Sequence, residues 1–136
     1  MGVEIDIEYV GGLKTRCVHG PSGAVIMTVA PKDNEGDGSS FSPTDLCATS
    51  LGACIITTMA IAAKKHGVDF PGATVHLEKI MSAEAPRRIA RLPVKVTMPA
   101  GIPVELRSRL EAAAHACPVH RSLRDDVEID LEIAWS

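Results

Sequence analysis

An α+β fold with antiparallel sheet is what this sequence predicts, and three observations predict it. First, strand-like segments alternate: "VEIDIEY" (residues 3–9) sets Val3, Ile5, Ile7 and Tyr9 against Glu4, Asp6 and Glu8, the period of a half-buried strand with one wet face. Second, the long uncharged run over residues 46–63 is bracketed by helix start and stop signals. Third, strands and helices fall in blocks rather than in alternation, which separates α+β from α/β. The 136 residues suit one domain spanning 1–136, and 46% hydrophobic residues are enough for a core.

Taken in order, Gly11 and Gly12 turn the first strand into a second, "LKTRCVH", and "GPSG" turns that into a third, "AVIMTVA", an antiparallel meander. "PKDNEGDGSS" is a polar surface loop. "SPTD" at 42–45 starts the central helix, with Ser42 as N-cap, Pro43 in the first helical position and Asp45 at the third. Lys64, Lys65 and His66 fill its last turn, and Gly67 suits the position just beyond the C-cap. "ATVHLEKIMSA" reads as one long strand, "EAPRR" as its turn and "IARLPVKVTMP" as the returning strand. "PVELRSRLEAAAHA" has helical period, Pro118 starts a short helix, "PVHRSLRD", and "VEIDLEIAW" closes the chain as a strand. The predicted order is β-β-β-α-β-β-α-α-β.

Composition excludes some classes. A net charge of −3 and 3% aromatics give neither the basic surface nor the stacking rings of a nucleic-acid binder. The uncharged helix reaches the length of a membrane span, but Thr49, Ser50, Thr57 and Thr58 keep it only moderately apolar. The reading preferred is a helix buried at the centre of a domain or dimer, with no membrane partner. The acidic, alternating N-terminus lacks the features of a secretory signal. The expectation is therefore a reducing, cytoplasmic compartment, where cysteines serve catalysis, redox sensing or metal binding more often than structural disulfides.

The four cysteines are Cys17, Cys47, Cys54 and Cys117. Cys117 precedes Pro118 and so fits an N-cap, where the helix dipole and backbone N–H groups favour a thiolate; a buried small hydrophobe before a helix break is the plain alternative. His115, Cys117 and His120 space as H-x-C-x-x-H, too few ligands for a zinc site without a second cluster. Cys54 stands mid-helix, where apolar burial raises a thiol pKa, and becomes reactive only if a cation or hydrogen-bond network reaches it. Cys47 projects from nearly the same helix face, about 10.5 Å away along the axis, too far for a disulfide. Serine-nucleophile, P-loop and dinucleotide-binding motifs are absent, which leaves thiol chemistry and calls for no cofactor.

"FSPTDLCATSLGACIITTM" (41–59), followed by "AAHACPVHRSL" (113–123), resembles the OsmC/Ohr family of thiol-dependent peroxidases. The element order resembles it across essentially the whole chain, on the side of the less characterised OsmC-like members. The resemblance implies an intertwined homodimer with sites at the subunit interface, an OsmC-like fold around a long buried central helix, Cys54 as peroxidatic thiol and Cys117 as resolving thiol. It implies a hydroperoxide substrate, a Cys54–Cys117 disulfide and an external dithiol reductant. In the peroxidase branch an arginine from the N-terminal hairpin and a glutamate near the central helix start activate the first cysteine. Here "GGLKTRC" puts Leu13 or Lys14 at the arginine place and Arg16 close by, while Thr44 and Asp45 stand near the helix start. Arg16 is the candidate cation, with Lys14, Arg87 and Arg88 behind it. Asp45 is the candidate acid, although capping also explains it and it lies about 900° round an ideal helix from Cys54. A redox-sensing or small-molecule-binding dimer without turnover is the alternative function.

Overall fold

The computed structural model describes residues 2–136. The chain forms two compact units, the first ending at Cys47 and the second running over Ala48–Ser136. The first unit is an antiparallel meander of β1 (Ile5–Gly11), β2 (Lys14–His19) and β3 (Val25–Val29). The register stacks Ile7 against Cys17 and Cys17 against Ile26 on one face, and Glu8 against Arg16 and Arg16 against Met27 on the other. One expectation fails here. The apolar residues of β1 are not half-buried: Ile5, Ile7 and Tyr9 are 59%, 66% and 65% exposed. The alternation is that of a strand with one face to cover, and within the first unit that face stays open.

Helix α1 (Pro43–Lys64) begins as its sequence predicts. The Asp45 N–H donates to Ser42 Oγ at 3.1 Å and the Ser42 N–H donates to Asp45 Oδ2 at 2.9 Å, a reciprocal capping box. It ends in a Schellman turn: Gly67, at φ +70°, donates to the Lys64 carbonyl, and Val68 reaches back to that of Ala63. By length and composition α1 is apolar enough to cross a membrane. Its buried residues Leu51, Ile55, Met59 and Ala63, four apart, form a stripe in the core of the second unit.

The sheet of that unit contains β4 (Thr74–Leu77), β5 (Ile80–Met81), β6 (Ile89–Thr97) and β7 (Glu128–Ala134). Leu92, Val94 and Val96 of β6 are buried in the helix-facing core, joined by the half-buried Val75, Leu77, Ile129, Leu131 and Ile133. Gly52 belongs to this packing, since a Cβ there would stand 2.7 Å from Leu77 Cδ2 and 3.3 Å from Val75 Cγ1. Helix α2 (Arg107–His115), entered through a 3₁₀ turn at Val104–Leu106, adds Leu110 and Ala114 to the core. It is tied to the chain end by Trp135 Nε1 donating to Glu111 at 2.8 Å and by the Arg107 guanidinium 5.2 Å over the Trp135 ring. Helix α3 (Pro118–Ser122) follows.

Two further expectations are corrected. The sheet is mixed, because β7 pairs parallel to β6. Residues 98–127, with both short helices, form a crossover long enough to return the chain in the same direction, which a tight turn cannot do. The expected long strand over 73–83 is broken into β4 and β5, both pairing antiparallel with β6. The cause is Pro93. The register places Glu78 opposite it, the Glu78 N–H donates to the Pro93 carbonyl at 3.2 Å, and the return bond has no N–H to make it.

Candidate active site

The second unit brings two of the sequence-predicted residues together, Cys54 and Cys117. Cys54 lies mid-way along α1, beside the Leu51–Ile55 stripe, half-buried and packed against the core. Cys117 is fully buried and caps α3 with extended backbone geometry (φ −65°, ψ 142°). Pro118 in the first helical position fixes that geometry. The first N–H groups of a helix have no intrahelical partner, and here two of them meet sulfur. The His120 N–H donates to Cys117 Sγ at 3.4 Å, and the Val119 N–H donates to Cys54 Sγ. Thr58, one turn along α1, places Oγ1 3.8 Å from Cys54 Sγ, and the Cys117 thiol also donates to Cys54.

These contacts set the two thiols apart. Burial pushes the Cys54 thiol up, but hydrogen bonds from Val119, Thr58 and Cys117 outweigh it and hold it below the ordinary thiol value. Burial raises Cys117; the His120 N–H opposes this, but the hydrogen bond to Cys54 and the charge on that sulfur add to the rise. The residues alone left Cys117 open between a capping thiolate and a buried small hydrophobe, and set a raised pKa at Cys54 unless a cation or hydrogen-bond network reached it. The N-cap argument is right about the donor at Cys117 but leaves out its complete burial. The hydrogen-bond network that a mid-helix thiol needs is supplied by Thr58 of the same helix and by Val119 and Cys117 at the start of α3, all three of them neutral.

Each remaining candidate has its own surroundings. Arg16 is exposed on β2, in register with Glu8 and Met27. The Asp45 carboxylate accepts from Ser42 in the capping box. Lys14 lies 3.7 Å from Asp37, and Arg88 donates to the carbonyls of Ile89 and Asp126. Among the described residues no three His, Cys, Asp or Glu side chains converge as a metal site requires. All four cysteines are free thiols. Sequence reasoning missed Thr58 and Val119. Thr58 was findable, since a residue four along a helix lies beside the first; a backbone N–H delivered from a distant helix leaves no sequence signal.

Together, fold and site define an α+β protein with a paired, unequal dithiol at the edge of its core. The chain belongs to the OsmC-like family, whose model, described as OsmC-like protein, matches residues 36–132. It is 35% identical to a Psychrobacter arcticus protein described as an osmotic stress induced and detoxification response protein, covering 95% of this chain and 93% of that one with a TM-score of 0.88. It also shares its fold with an organic hydroperoxide resistance protein OsmC from Legionella pneumophila (17% identity, 98% and 97% covered, TM-score 0.76). A third likeness is to an organic hydroperoxide resistance protein from Elizabethkingia anophelis (17% identity, 100% and 97% covered, TM-score 0.75). No curated protein matches the chain.

Proposed function

We propose that this protein is a cysteine-based peroxidase acting on organic hydroperoxides or hydrogen peroxide. The observation that carries the reading is the Cys54–Cys117 pair, in which one thiol is held low and the other high. The Cys54 thiolate attacks one peroxide oxygen. An S–O bond forms with the sulfur's electron pair, the O–O bond breaks, and the departing alkoxide or hydroxide takes a proton from solvent, leaving Cys54 as sulfenic acid. The Cys117 thiol, already directed at Cys54, condenses with it; an S–S bond forms and water leaves. An external dithiol reduces that disulfide by exchange and is itself oxidised. Arg16 and Asp45 enter as the candidate cation and acid of the family pattern. Slower turnover in Arg16→Ala places the cation in the reaction, and unchanged turnover removes it.

The working unit in this reading is a cytoplasmic homodimer. Its support is the family membership and the uncovered apolar face of β1–β3, where Ile5, Ile7 and Ile26 stand exposed. Purified protein given dithiothreitol and cumene hydroperoxide or hydrogen peroxide is expected to consume peroxide, and Cys54→Ser is expected to abolish this. A variant rate equal to that of the parent overturns the proposal. Absence of turnover together with loss of the two thiol hydrogens in intact mass after mild peroxide treatment points to a redox sensor instead.

A further inference from the structure

We propose that Thr58 is a catalytic residue of the Cys54 site: its hydroxyl donates to Cys54 Sγ and holds the thiolate that attacks the peroxide. The inference deepens the peroxidase reading and rests on it for the attack, but not for the thiolate.

The geometry is local and rigid. Thr58 lies four residues after Cys54 on α1, half-buried, with Oγ1 3.8 Å from Sγ. A β-branched side chain in a helix has few χ1 states open to it, and the usual use of a threonine hydroxyl there is to bond a carbonyl one turn back. Here it lies against the sulfur one turn back. A thiolate carries no proton, so once Cys54 ionises the hydroxyl is the only possible donor in that contact. The Cys117 thiol, the other side-chain donor to Cys54, is consumed when the disulfide forms. Thr58 is chemically unchanged by the cycle and sits on the same helix as the nucleophile, so it is available again whenever Cys54 returns to the thiolate. It also needs no contact from outside the second unit.

The test compares Thr58→Val, which keeps the shape and removes the hydroxyl, with Thr58→Ser, which keeps the hydroxyl. Thr57→Val, one residue earlier and exposed, serves as control. Site-resolved iodoacetamide labelling of Cys54 against pH reads the thiolate directly, without peroxide. Thr58→Val is expected to shift the Cys54 labelling profile up by about one pH unit, as loss of a hydrogen bond to a charged group does. Below that range, peroxide consumption should fall about tenfold; Thr58→Ser is expected to restore both, and Thr57→Val to leave the profile in place. Should Thr58→Val not fold, Thr58→Ala takes its place with the same expected shift. An unmoved profile on loss of the hydroxyl, or a serine variant that behaves like valine, overturns the proposal. If the profile shifts as expected while the parent protein consumes no peroxide, the peroxidase reading fails and with it the catalytic role, while Thr58 stands as the donor that holds the Cys54 thiolate.

Discussion

The two thiols Cys54 and Cys117 ionise in a definite order because their donors and burial differ. Cys54 receives three donors and keeps partial exposure, whereas Cys117 is fully buried. Alkylation should therefore reach Cys54 at lower pH than Cys117, and peptide mass mapping across a pH series checks the order. Stability follows with opposite signs. The folded Cys54 pKa is depressed, so its contribution is present above the unfolded thiol value of about 8.5 and is lost as pH falls through the lowered one. The folded Cys117 pKa is raised, so its contribution is present below the unfolded value and is lost as pH rises through the raised one. Denaturant titrations should show Cys117→Ala abolishing the alkaline loss; if the loss persists, Cys117 is not its source. At this scale the sequence located the thiols, and the family resemblance paired them. The donors escaped because one is a main-chain N–H, and Thr58 read only as a polar residue that kept the helix from looking membrane-bound.

Among the elements, α1 was the most legible, since caps are local chemistry. Ser42, Pro43 and Asp45 mark its start and Gly67 its end, and the structure uses each in that way. Ser42 is buried, so Ser42→Ala should lower stability by about 1–2 kcal/mol, measured by urea unfolding. Gly52→Val places atoms where Leu77 and Val75 stand and should cost about 1–3 kcal/mol by overpacking; a variant as stable as the parent would show that the sheet yields there without cost. The broken strand was half legible. Pro93 was visible inside a predicted strand, but its effect falls on the partner opposite, and register is set by the fold. The parallel β6–β7 pairing was not legible, because alternation tells which face of a strand is wet but not which way its neighbour runs.

For the whole molecule, the informative feature is apolar surface left open. The pattern in "VEIDIEY" promises burial that this chain does not deliver, with Ile7 two-thirds exposed. A solitary chain seldom leaves so much apolar strand in water. If a second copy covers it, Ile7→Lys should turn a dimer into a monomer in sedimentation equilibrium; an unchanged mass would put the interface elsewhere. The block order of strands and helices gave the fold class, but the number of copies lies in surface complementarity, which a single sequence reports only as excess alternation.

The sulfur of Cys117 is also the acceptor that closes the first turn of α3, through the His120 N–H. One atom thus serves as a structural clasp and as a reagent. When it bonds covalently to Cys54 it is drawn closer to that sulfur, and the clasp is pulled. Oxidation therefore has a mechanical signature: the His120 amide, shielded in the reduced protein, should exchange with deuterium faster in the disulfide form. The helix start becomes a gauge of redox state that can be read without following any peroxide.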